Sequence, residues 1–99
     1  MTVIEGVLLE ERERNLSMQK TYLQEISALP KGSVVKKSRR SGEYYYLTHR
    51  NGNKVVSDYL GTDIEKVNQI KQSVAKRKRL ENVVKRLKKE LKQITKVVR

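Results

Sequence analysis

Five cations near the carboxyl end recur at seven-residue spacing: Lys71, Lys78, Lys85, Lys92 and Arg99. Seven residues make almost two helical turns, so on an α-helix these side chains share one face. Neighbouring helix positions add Arg79, Arg86, Lys89 and Lys96. Such a face can lie along a phosphate backbone and release condensed counterions. The alternative is an ordinary lysine-rich helix surface, but after residue 65 the only acids are Glu81 and Glu90, which favours phosphate contact.

A second basic cluster lies between residues 31 and 61 and consists of Lys36, Lys37, Arg39, Arg40, Arg50 and Lys54. Three consecutive tyrosines, Tyr44, Tyr45 and Tyr46, lie among these cations. In nucleic-acid binding proteins, cations meet phosphates and aromatic rings stack on unpaired bases. We therefore take Tyr44 and Tyr46 as candidate contacts together with the cations. The competing interpretation is that tyrosines fill the core of a chain without Trp or Phe, and we expect this of at least one of the three.

Residues suited to catalysis or metal binding are scarce. The chain has no Cys and a single His, His49, which excludes disulfides and thiolate metal sites. We interpret His49 as an exposed strand residue. No Ser–His–acid set, glycine-rich phosphate loop or HExxH motif is present, and acids in the basic region are too sparse for a magnesium-dependent nuclease. We expect a protein that is not an enzyme and that uses no cofactor or metal.

The net charge of +12 over 99 residues is unevenly distributed. Residues 1–30 carry −2, residues 31–61 carry +5 and residues 62–99 carry +9. Charge of this size weakens a compact fold through self-repulsion, so a polyanionic partner is expected. The first residues lack the features of a signal peptide, and no apolar run approaches the length of a membrane span. We expect a cytoplasmic protein without a membrane partner.

Periodicity divides the chain into three segments that together predict an α+β fold. Residues 1–29 predict an amphipathic helix with Leu9, Leu16 and Leu23 on its apolar stripe. Pro30, followed by Lys31 and Gly32, ends this helix. Residues 30–61 form a tyrosine-rich β-hairpin segment, and residues 62–99 form a long basic helix with coiled-coil character. All three are expected to make one structural unit.

Turn signals predict a small antiparallel sheet of two or three strands in the middle segment. Residues 39–42 predict one turn, and Asn51-Gly52 predicts a two-residue hairpin turn. That turn would pair Arg50 with Asn53 and Tyr46 with Ser57. Strand alternation puts Tyr44, Tyr46, Val55 and Tyr59 on one face, opposite Tyr45, Leu47 and Val56. One face should pack on a helix and the other should remain partly exposed.

The long helix is expected to begin at a capping box in which Thr62 is the N-cap and Glu65 lies three residues later. No Pro or Gly interrupts it through Arg99. From Leu80 onward, apolar residues follow the 4-3 spacing of a coiled-coil seam. A homodimer through this seam is therefore considered, using Leu80, Val84, Leu87, Leu91 and Ile94.

The middle segment also resembles a known group of sequences. The stretch LPKGSVVKK from Leu29, the tetrad YYYL from Tyr44, and RNGNKVVSDYLG from Arg50 to Gly61 resemble small uncharacterised proteins of Gram-positive bacteria, their phages and mobile elements. Asn53 departs from the Gly common in that pattern. The resemblance implies no residue roles. Small basic proteins of phages and mobile elements include transcription regulators and inhibitors of host defence nucleases such as Cas9.

Together these features predict a non-enzymatic nucleic-acid-binding protein of phage or mobile-element type that contacts DNA or RNA through the basic helix and hairpin. The alternative is an anti-CRISPR-like inhibitor of a nucleoprotein nuclease that blocks guide RNA assembly or DNA loading. A third possibility, a coiled coil that binds an anionic membrane or acts as a scaffold, is disfavoured because the apolar stripe lacks the Trp and Phe typical of interfacial helices.

Overall fold

A computed structural model of the protein describes residues 2–98, with side chains described through residue 97. Its elements are helix α1 (Val3–Ser27), strands β1 (Ser33–Arg39), β2 (Gly42–Asn51) and β3 (Lys54–Gly61), and helix α2 (Ile64–Val98). The strands form one antiparallel sheet in the order β1-β2-β3. The predicted α+β fold is confirmed. Arg99, the last cation of the heptad column, lies outside the described residues.

The chain divides into two compact units. The helical unit consists of Met1–Ala28 and Lys78–Arg99, and the sheet unit consists of Leu29–Arg77. Helix α2 contributes its first part to the sheet unit and its remainder to the helical unit.

In the helical unit, α1 buries polar residues where leucines were expected. Asn15 and Gln19 are buried, whereas Leu16 and Leu23 are 45% and 47% exposed. The Asn15 side-chain amide donates to the Leu87 carbonyl of α2 at 2.8 Å, and Gln19 donates to the Asn15 oxygen at 2.7 Å. The predicted leucine stripe is therefore wrong at Leu16 and Leu23, whereas Leu9 is half-buried and Ile26 of the same helix is buried.

Helix α2 follows its predicted apolar seam more closely. Val84 and Leu87 are buried within the single chain, and Leu80, Leu91 and Ile94 are half-buried. The homodimer remains a prediction, but two of its five seam residues are already buried by the chain itself. The N-cap is Asp63 and not Thr62, because the Asp63 carboxylate accepts from the backbone N–H of Glu65 at 3.1 Å.

In the sheet unit, the hairpin register differs from the expected one by two residues. Asn51 pairs with Lys54 and Tyr46 with Tyr59, so Gly52 and Asn53 form the turn. Gly52 has a φ of +65°, and among the described residues no non-glycine has a positive φ. The first central position of a type II′ hairpin turn requires such a φ, which explains why Gly and not Asn occupies it.

Gly32 and Arg77 both hold the segment that precedes β1, the first against β2 and the second from α2. Gly32 has a φ of +126° and lies against the Thr48 backbone of β2. Arg77 lies three residues before Leu80, where the apolar seam begins, and its guanidinium donates to the Leu29 carbonyl at 2.6 Å. This contact gives the charged residue a structural role.

Candidate nucleic-acid interface

One face of the sheet combines tyrosines with cations. Strand pairing puts Lys37 opposite Tyr44, and Tyr46 opposite Tyr59. Because side chains alternate along a strand, residues two apart join them on the same face. We call this surface the tyrosine face and define it as Lys37, Arg39, Tyr44, Tyr46, Arg50 and Tyr59.

The three rings of the tyrosine face contact one another around Tyr59. The ring centroid of Tyr59 is 6.4 Å from that of Tyr44 and 5.5 Å from that of Tyr46, with interplanar angles of 45° and 56°. The Lys37 ammonium lies 4.8 Å from the Tyr46 ring centroid, which is a cation–π distance. The Tyr44 hydroxyl is hydrogen-bonded to that of Ser41. A cation therefore lies over the Tyr46 ring, while Tyr44 is held at its hydroxyl.

An open pocket of about 380 Å³ lies among these side chains, lined by Arg39, Ser41, Tyr44, Tyr46 and Tyr59. Tyr44 and Tyr46 are half-buried, whereas Tyr59 is 58% exposed. A concave surface with aromatic side chains and a few polar groups is a candidate binding site.

Charge on the sheet is segregated by face. The two acids of the strands, Glu43 and Asp58, alternate onto the face opposite the tyrosine face. There the Glu43 carboxylate lies 3.4 Å from the Lys36 ammonium, and the Asp58 carboxylate lies 2.8 Å from Nε2 of His49. The tyrosine face carries three cations and, within these fully described strands, no carboxylate. Its field therefore attracts anions.

The first part of α2 contacts the opposite face of the sheet at Tyr45. Leu47 and Val56 are half-buried there, and Val67 in the first turns of α2 is 1% exposed. The Lys71 ammonium lies 5.7 Å from the Tyr45 ring centroid, which brings α2 to this face. Tyr45 is half-buried on this face, like Tyr44 and Tyr46 on the other, and the filling of the core by a tyrosine stays a prediction.

A second cationic surface lies on α2 in the helical unit. We call it the basic helix face and define it as Lys78, Arg79, Lys85, Arg86, Lys89 and Lys92. All six side chains are exposed, while Val84 and Leu87 on the other side of the helix are buried. The predicted separation between a charged face and an apolar seam is present in this part of the helix.

Only three of the six cations in the predicted hairpin cluster lie on the tyrosine face. Lys37, Arg39 and Arg50 share the tyrosine face, whereas Lys36 and Lys54 point to the opposite face. Arg40 lies in the turn between β1 and β2. Lys71 belongs to the sheet unit, apart from the basic helix face in the assignment of units. All of these cations are exposed.

Two residues of the pocket, Tyr59 and Ser41, were missed as candidate contacts. Alternation alone had placed Tyr59 on the correct face, but its central position depends on its pairing with Tyr46. The signal for Tyr59 was therefore present in the sequence. The Ser41 contact needed three-dimensional coordinates.

Other kinds of site find little support in the described residues. Within residues 2–98, no group of three or more His, Cys, Asp or Glu side chains could hold a metal ion. Over the same residues, no helix has the length and apolarity required to cross a membrane.

Residues 4–69, two thirds of the chain, match the model of a family described as a domain of unknown function, DUF6788. The chain belongs to this family. No curated protein and no solved structure matches the chain. The matched region contains the whole tyrosine face and ends before the basic helix face, so the two surfaces can be tested separately.

Proposed function

We propose that this DUF6788 protein is a non-enzymatic nucleic-acid-binding protein whose basic helix face contacts the phosphate backbone. The observation that carries the proposal is the exposure of all six cations of this face. Within residues 2–98, Lys78, Lys85 and Lys92 take part in no ion pair with a carboxylate. Their charge is therefore available to an external polyanion.

The geometry of the face suits a phosphate backbone. Lys78 and Lys92 are fourteen residues apart, which is about 21 Å along a helix that rises 1.5 Å per residue. That distance covers about six base pairs at 3.4 Å per phosphate on each strand. Arg79 and Arg86 flank the lysine column, and guanidinium groups can bind phosphate oxygens in a bidentate manner.

Counterion release predicts how steeply the binding affinity should fall as the salt concentration rises. For duplex DNA, the logarithm of the binding constant falls with the logarithm of salt concentration by about 0.9 for each phosphate neutralised. Six contacts then predict a loss of roughly 10³-fold in affinity between 50 and 200 mM salt. Fluorescence anisotropy with a labelled duplex of about 20 base pairs measures this slope.

The decisive variant reverses three charges of the basic helix face: Lys78→Glu, Lys85→Glu and Lys92→Glu. It is expected to abolish binding, since three attractive contacts become repulsive. The control reverses Lys20, Lys31 and Lys66, which are equally exposed and lie outside both candidate surfaces. Both variants change the net charge by the same amount, so the comparison separates a located site from overall charge.

Indifference to the basic-helix-face variant would overturn the proposal, and so would equal losses in the two triple variants. Purification from the native host without nuclease treatment provides a second test. Co-purifying material that absorbs at 260 nm supports nucleic-acid binding. A stoichiometric nuclease partner combined with weak binding to random duplex would overturn it in favour of the inhibitor hypothesis.

A further inference from the structure

The tyrosine face has properties that the basic helix face lacks, and they point to a ligand with exposed rings. We infer that the tyrosine face binds single-stranded nucleic acid by stacking an unpaired base on Tyr59, with Arg39 contacting an adjacent phosphate. The inference rests on the proposed function and specifies its ligand. The bases of a duplex are stacked on one another, so their faces are accessible only in single strands, loops or ends.

Tyr59 is selected because it is the most exposed of the three rings, and because a cation already lies over the Tyr46 ring. Lys37 lies over the Tyr46 ring, and Ser41 holds the Tyr44 hydroxyl. Tyr59 is held by ring contacts to both of them and remains 58% exposed. A ring fixed in orientation by its neighbours loses little conformational freedom when a base stacks on it.

The pocket beside Tyr59 has the size and lining that a nucleobase requires. Its volume of about 380 Å³ falls within the range of about 300–1,000 Å³ that is typical of small-molecule sites. Arg39 lines the same pocket as the three rings, so a cation is present next to the proposed stacking position. The charge of the face complements a phosphate chain, because Lys37, Arg39 and Arg50 share it with no carboxylate.

The affinities for three ligands distinguish base stacking from phosphate contacts. The first is a single-stranded oligonucleotide of 12 thymidines, the second is an abasic oligonucleotide of equal length, and the third is a blunt duplex. The single strand and the abasic strand carry the same phosphates, so their difference reports the bases alone. We expect the single strand to bind more tightly than the abasic strand, and to quench tyrosine fluorescence, which no Trp obscures in this chain.

Protein variants then assign the two roles. Tyr59→Ala is expected to weaken binding to the single strand roughly 5- to 150-fold, in line with the energy of base–aromatic stacking, while the salt slope stays unchanged. Arg39→Gln is expected to lower the salt slope by about 0.7, the value for one phosphate on a single strand. Tyr59→Leu keeps apolar bulk without the ring and should lose affinity like Tyr59→Ala, which separates stacking from sheet folding.

Tyr22→Leu removes the one tyrosine outside the sheet and is expected to leave binding unchanged. Equal affinity for the single strand and the abasic strand, together with indifference to Tyr59→Leu, would overturn the inference while duplex binding still upheld the proposed function. Absence of binding to all three ligands would overturn both. Competition by poly-glutamate as effective as that by the single strand would overturn the inference in favour of an acidic protein partner.

Discussion

Among the glycines with positive φ in the sheet unit, Gly32 is the one at which an added methyl group should destabilise the fold most. Its φ is +126°. A Cβ at Gly32 would lie 2.3 Å from the Thr48 carbonyl oxygen and 2.9 Å from the His49 Cβ. These are a backbone atom and a first side-chain atom, so no rotamer change relieves the overlap. We predict that Gly32→Ala destabilises the sheet unit by forcing β1 away from β2.

The magnitude follows from two costs. Backbone strain at this φ costs a non-glycine residue about 1–3 kcal/mol. Displacing β1 next to its pair Ser33–Thr48 loses at least one ladder hydrogen bond, worth about 0.5–1.5 kcal/mol. The combined loss of about 2–4 kcal/mol is a large fraction of the roughly 5–15 kcal/mol that stabilises a typical protein. For a chain of this size it corresponds to a decrease in Tm of roughly 10–30 °C.

Gly42 provides a matched control. Its φ of +136° is similar, but nothing lies within 4 Å of a Cβ built there. Gly42→Ala therefore carries the backbone strain without the collision. Urea unfolding followed by circular dichroism should show Gly32→Ala less stable than Gly42→Ala by about 0.5–1.5 kcal/mol. Equal free energies of unfolding for the two variants would refute the argument that close packing against β2 requires a glycine at position 32.

Two further predictions concern the helices. Asp63→Ala is expected to lower the free energy of unfolding by about 1 kcal/mol through loss of the N-cap, and Thr62→Ala by less than about 0.5 kcal/mol; thermal melts that rank them in the reverse order would contradict the assignment of the cap. Asn15→Ala is expected to cost about 1–3 kcal/mol because it leaves the buried Gln19 amide without its acceptor. Replacing both Asn15 and Gln19 by Leu should recover much of that loss in urea titrations, and a double variant less stable than the single one would contradict this.

Helix α2 could be predicted from the sequence because its signals are local. Helical apolar periodicity from Ile64, the 4-3 spacing from Leu80 and the absence of Gly and Pro predict a helix without reference to the rest of the chain. The cap was misplaced by one residue because Thr62 and Asp63 are both good N-caps and only coordinates show which side chain reaches the free N–H groups.

The buried face of α1 could not be predicted for the opposite reason. The leucine repeat is a local pattern, whereas the acceptor of Asn15 is the Leu87 carbonyl, 72 residues away. Hydrophobic periodicity assigns polar residues to the exterior and has no means of anticipating a buried amide with a partner from a distant helix. The same limit applies to Arg77, whose acceptor on Leu29 is 48 residues away.

The sheet shows why a wrong register still predicted the right surface. The predicted pairing of Tyr46 with Ser57 is displaced by two residues from the observed pairing with Tyr59. Side chains alternate with a period of two, so a displacement of two preserves every face, whereas a displacement of one would have exchanged them. The tyrosines of the tyrosine face were therefore grouped correctly from the sequence, whereas its cations were predicted only as part of a larger cluster that the strand pairing divides. The pairing of Tyr59 with Tyr46 was not, and it is this pairing that makes Tyr59 the exposed centre of the ring cluster and the residue on which the single-strand inference depends.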